Sequence, residues 1–128
     1  MREIKFRGYG KFEKKWVYGY GLHQVIFEDG SSNTYLTAGI RKLITVYRES
    51  AGEYTGCKDT NGKEIYEGDI VETTRTLNHI VGVVTMIKSC WYIQDGKDSY
   101  YRLIPRFGTA ENKIIGNIYE NKELLEVE

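Results

Sequence analysis

Three dipeptides punctuate this chain: Asp29-Gly30, Asn61-Gly62 and Asp95-Gly96. A two-residue type I′ hairpin turn needs φ > 0 at both central positions, and Asn or Asp followed by Gly tolerates that best. Each pair has strand-like sequence on at least one side, and the last lies between Trp91-Tyr92-Ile93 and Tyr100-Tyr101-Arg102-Leu103-Ile104. One such dipeptide says little. Three, flanked by β-branched and aromatic residues, predict a mainly β, antiparallel chain.

The intervening segments support that reading. Ile4 and Phe6 fall on one face of an extended segment, with Glu3, Lys5 and Arg7 on the other, as a half-buried strand requires. Trp16, Tyr18, Tyr20 and Leu22 repeat the alternation with Gly19 and Gly21 opposite, and glycines inside a strand mark a bulge or a close backbone approach. Residues 40–47 carry apolar groups at helical spacing, yet Leu43-Ile44-Thr45-Val46-Tyr47 is rich in β-branched residues, which lose rotamer freedom in helices. A strand is expected there. Composition turns to loop at Ala51. Val81 to Ile87 is the most apolar segment and the expected central strand, Ile114 to Tyr119 closes the sheet, and Asn121 is placed to cap a short C-terminal helix, Lys122 to Glu126. The turn dipeptides recur at intervals of 32 and 34 residues. Aligning them matches little besides a tyrosine, so this is turn spacing and not an internal repeat.

Composition narrows the classes of function. With 18 basic and 18 acidic side chains the chain has no formal charge, which argues against a dedicated binder of phosphate backbones. Residues 1–64 hold 11 basic and 8 acidic groups, and residues 65–128 hold 7 and 10, an asymmetry usable in association. At 128 residues, folding buries about two-thirds of the unfolded surface, so a core forms without disulfides or metal. The longest apolar run, Ile80 to Ile87, is far too short to span a bilayer, and the start lacks an apolar signal region. A cytoplasmic protein without membrane contact is expected. In that setting Cys57 and Cys90 stay reduced and act as small buried hydrophobes.

The residues that would carry chemistry lack their partners. Two histidines, His23 and His79, and two cysteines supply no zinc spacing. Asp59-Thr60-Asn61-Gly62 has acids near a glycine, but a calcium loop needs glycine sixth and glutamate twelfth, where this chain has Ile70. Glu67, Asp69 and Glu72 form the densest carboxylate group, suited to a metal or an acid/base pair if two share a strand face. The alternative is that Gly68-Asp69 is a turn whose aspartate accepts backbone N–H bonds. Ser31, Ser32, Ser50, Ser89 and Ser99 sit in no nucleophile-elbow context, and neither Gly8-Tyr9-Gly10 nor Gly19-Tyr20-Gly21 continues into a dinucleotide or phosphate loop. No catalytic residue, metal or cofactor is expected. A binding face is better supported: Trp91, Tyr100, Arg102 and Arg106 gather aromatics and positive charge around one hairpin, the chemistry by which small barrels hold nucleic acid and by which proteins anchor partners. Alternation sends Trp91 and Tyr92 to opposite faces, so half of this cluster belongs to the core.

The stretch Tyr54-Thr55-Gly56-Cys57-Lys58-Asp59-Thr60-Asn61-Gly62-Lys63-Glu64-Ile65-Tyr66-Glu67-Gly68-Asp69-Ile70-Val71 closely resembles the central signature of the YopX family of phage and prophage proteins. The opening Met1-Arg2-Glu3-Ile4-Lys5-Phe6-Arg7 and the closing Ile115-Gly116-Asn117-Ile118-Tyr119-Glu120-Asn121 resemble its two ends. The resemblance implies a phage or prophage protein of a bacterial host, mainly β, whose later half is an SH3-like barrel. It implies no activity, since the family's function is unknown. Cys57 stands where the family usually has leucine, and Lys122 where it often has proline. The expected architecture is an N-terminal antiparallel meander, 1–50, packed on an SH3-like barrel, 51–128, with a short C-terminal helix. The expected role is that of a non-enzymatic accessory protein acting by binding and self-association, a homo-oligomer with a phage or host protein as further partner. The alternative is a nucleic-acid-binding SH3-like module, and a metal-dependent enzyme at Glu67 and Asp69 is the weaker third.

Overall fold

The computed structural model describes residues 3–74, 80–96, 99–103 and 111–125. The protein is mainly β, built from twelve strands among the described residues. Every strand pair with an assigned register is antiparallel. The chain divides into two compact units, Met1–Tyr54 and Thr55–Glu128.

In the first unit, β1 (Phe6–Tyr9) pairs with β2 (Trp16–Gly19), and Phe6 and Arg7 also pair with Glu53 and Gly52. β3 (Gly21–Ile26), β4 (Ser32–Gly39) and β5 (Lys42–Val46) form a sheet in that order. Residues 42–46 are thus a strand, as their β-branched content dictates. Its bonds return to the end of β1, with Lys11 N–H donating to Thr45 and Tyr47 N–H to Tyr9. Leu36 pairs with Leu22 on one side and Ile44 on the other, so one face of the sheet is apolar. Val17, Leu36, Ile44 and Val46 form the core there, with Phe6, Leu22 and Ala38 against it. Gly19 shows why glycine alternates with aromatics in this stretch: a Cβ at that position would lie 2.2 Å from the Thr37 carbonyl oxygen.

β6 (Gly52–Lys58) crosses the boundary between the units. Beyond it come β7 (Glu64–Tyr66), β8 (Asp69–Thr73), β9 (Ile80–Ile87), β10 (Cys90–Asp95), β11 (Ser99–Arg102) and β12 (Asn112–Asn117). The last five make a sheet in the order β11-β10-β9-β8-β12, with the apolar strand β9 at its centre. Ile65, Val71, Val84, Ile93 and Leu103 form the core, joined by Cys57, Trp91, Tyr101 and Ile114. This sheet is open, since β11 and β12 are its two edges; no closed barrel is present among the described residues.

The turns differ from the expected type I′ geometry in an instructive way. At Asp29-Gly30 the flanking residues Phe27 and Ser31 are bonded, and Gly30 N–H returns to the Phe27 carbonyl; Asp59, Gly62 and Lys63 repeat the pattern. These are three-residue loops in which the glycine alone takes φ > 0, at +88° and +83°, a turn followed by a left-handed residue. The turn with φ > 0 at both central residues is Lys88-Ser89, at 49° and 69°, between the paired residues Ile87 and Cys90. The expected C-terminal helix is one 3-10 turn, Lys122–Leu125. Asn121 is not its side-chain cap, because its Oδ1 accepts instead from Asn117 N–H at 3.1 Å.

Candidate functional site

Two of the acids considered for chemistry, Asp59 and Asp69, accept hydrogen bonds from backbone N–H groups. Asp59 is buried. One carboxylate oxygen accepts from Asn61 N–H and Lys63 N–H, each at 2.9 Å, and the other from Ile114 N–H at 3.2 Å. Thr60 adds two bonds to Asn112, N–H to carbonyl and hydroxyl from N–H. The Asn61-Gly62 loop is thereby fastened to β12. Asp69 is 2 % exposed, and its Oδ2 accepts from Tyr66 N–H at 2.8 Å, while Gly68 N–H donates to Val84 and Ile118 N–H to Gly68. Among the described residues no three His, Cys, Asp or Glu side chains are placed to hold a metal ion.

Among the candidate nucleophiles, Ser50 and Ser31 are similarly engaged. Ser50 accepts from Tyr9 N–H and donates to the Tyr47 carbonyl, and Ser31 bonds Asp29, holding that carboxyl below its usual range. His23 Nε2 lies 2.6 Å from the Thr37 hydroxyl on an exposed strand, and His79 falls outside the described residues. Both cysteines are free thiols. Burial pushes the Cys57 thiol upward, partly offset by the Thr55 hydroxyl.

The aromatic hairpin is divided by its register. Tyr92 opposes Arg102, Ile93 opposes Tyr101, and Gln94 opposes Tyr100. Trp91 therefore shares a face with Ile93 and packs on the core, whereas Tyr92, Tyr100 and Arg102 share the opposite face. On that face the Tyr92 and Tyr100 rings meet edge to face at 6.5 Å. Arg106 lies outside the described residues. The same face of the sheet continues into a groove of about 480 Å³ lined by Val81, Val83 and Thr85 on β9, and by Ile118, Leu124 and Leu125 around the terminal turn. The sequence reading did not include this groove. Its wall is visible in the alternation Val81, Val83, Thr85, but the terminal turn that roofs it is not.

The first unit leaves a second group of large apolar side chains exposed. Tyr18, Tyr20, Val25, Ile26 and Phe27 are all exposed, Ile26 to 72 %. β3 is the edge of its sheet, and β5 pairs only as far as Thr34 on β4, so the tip of the β3–β4 hairpin extends past it.

These features define a mainly β protein whose buried carboxylates organise loops and whose apolar surfaces face outward. The sequence matches the family model described as YopX protein over residues 5–126, and the chain belongs to that family. Protein yopX from Bacillus subtilis, a solved structure, is similar to this chain with a TM-score of 0.55 and 20% identity, covering 100% of this chain and 99% of that one. Protein EF1440 from Enterococcus faecalis gives a TM-score of 0.47 and 19% identity, covering 98% of this chain and 100% of that one. The first likeness shows a shared fold. A search of curated proteins returns no match. Among the described residues no helix is long and apolar enough to cross a membrane.

Proposed function

We propose that this chain is a non-enzymatic accessory protein of a phage or prophage, acting in the host cytoplasm by binding and by self-association. In this reading residues 1–50 are a meander that carries the association surface, and residues 51–128 serve as an SH3-like module. One observation carries the reading: Tyr18, Tyr20, Val25, Ile26 and Phe27 are exposed in one stretch of the first unit. Five large apolar side chains exposed between Tyr18 and Phe27, on or beside two strands and on both faces of β3, leave apolar surface that association would cover. The engagement of Asp59 and Asp69 with backbone N–H groups supports a structural role for the acids. Sedimentation velocity on the purified chain tests it. A mass above 14.8 kDa that rises with concentration is expected, and a strict monomer throughout overturns self-association.

A second reading, a nucleic-acid-binding module, is favoured by the Tyr92–Tyr100 pair with Arg102 on the same face, since stacking plus a cation is how single strands are held. Gel-shift titration of a single-stranded oligonucleotide at about 50 and 200 mM salt decides it, because phosphate contacts make affinity fall steeply with salt. Absence of binding, or binding indifferent to salt, ends that reading.

A further inference from the structure

The first unit ends in a sheet edge with unusual chemistry. Trp16 to Phe27 is a run of twelve residues without Asp, Glu, Lys or Arg, in a chain where 28% of residues are charged. Edge strands are normally protected against pairing by lysine, proline, bulges or short length. β3 has six residues, no proline and no charge. Phe27 N–H donates to Ser31, and antiparallel ladders alternate bonded positions. Val25 and His23 therefore face β4, and the N–H and C=O groups of Leu22, Gln24 and Ile26 point out from the edge.

We propose that two copies of this chain join along β3, antiparallel about a two-fold axis, so that each extends the other's three-stranded sheet. The inference rests on the self-association reading and names its surface. Outward groups must meet outward groups, so the register centred on Gln24 sets Leu22 opposite Ile26 of the second copy and Gln24 opposite its own equivalent. Isologous contacts of this kind are self-complementary. Every cross-strand pair in this register is uncharged, and the two apolar pairs cover the exposed Ile26.

The test is sedimentation velocity on the full chain from about 1 to 200 μM, with Gln24→Pro and Ile26→Lys variants. Proline at position 24 removes an outward N–H and no backbone bond of the β3–β4 ladder, the placement that edge strands tolerate, and of the side-chain bonds only the exposed one from Gln24 Nε2 to the Ser32 hydroxyl at 3.2 Å. Circular dichroism and thermal melting establish that each variant is folded, and Ile26→Lys decides alone if Gln24→Pro does not fold. The expected result is a wild-type dimer of twice the 14.8 kDa chain whose dissociation constant rises about tenfold or more in the variants. A wild-type dimer with unchanged affinity in the folded variants overturns the β3 edge and leaves self-association standing. A wild type that is monomeric throughout overturns both.

Discussion

Asp59 joins a loop to a strand 55 positions away through three backbone N–H groups. Removing a buried acceptor leaves its donors without partners, and charged acceptors are the costlier loss. Asp59→Ala should therefore lower stability by about 3 kcal/mol in urea unfolding, and Asp59→Asn by less, since one oxygen remains to accept. Half of this role was legible in the sequence: a side chain that bonds its own backbone two residues on is ordinary Asp chemistry, whereas Ile114 comes from a strand that tertiary packing brings there. Cys57 supplies a pH prediction. Burial raises its pKa above the unfolded value of about 8.5, so the stabilisation is complete below that pH and is lost as pH rises through the folded value. The wild type should lose stability on the alkaline side, and Cys57→Leu should lose less of it, as thermal melts between about pH 7 and 10 will show.

At the level of elements, alternation and β-branching located most strands but not the type of turn between them. The sequence alone predicts two-residue reversals at Asp29-Gly30 and Asn61-Gly62. Asp29 and Asp59 instead bond the N–H two residues on, which favours a longer loop with glycine alone left-handed. The Lys88-Ser89 turn was not legible because neither residue favours φ > 0. The pairing of Val84 with Ile93 in the core fixes the register and imposes the turn. Lys88→Asn with Ser89→Gly should accordingly stabilise the protein by about 1 kcal/mol, measured by thermal unfolding, because it removes strain without touching the core. The glycines of the two longer loops offer a contrast. Both hold φ near +85° with no atom within 4 Å of an added Cβ, so valine meets the same local strain at each. The loop of Gly62 is anchored to β12 and that of Gly30 stands at a hairpin tip. Gly62→Val should lower the melting temperature more than Gly30→Val, and equal losses would count against the anchoring.

For the whole molecule, the mainly β class and the family were legible because turn glycines and strand alternation are local properties. The candidate surfaces were not, because they depend on which side of each strand is left uncovered. Trp91 and Tyr100 are close in sequence and lie on opposite sheet faces; Val25, Ile26 and Phe27 read as an ordinary strand end, and their exposure follows from where β5 stops pairing. The pairing proposed through that edge would tie stability to concentration. A folded dimer that unfolds to separate chains gains about 0.7 kcal/mol per chain for each tenfold rise in concentration above its dissociation constant. For a domain of this size the gain corresponds to roughly 2–4 °C in melting temperature. Calorimetry at two concentrations tenfold apart should show that rise for the wild type and a smaller one for Gln24→Pro. A variant that melts lower but keeps the full concentration dependence would mean that the proline weakens the fold and leaves the interface intact.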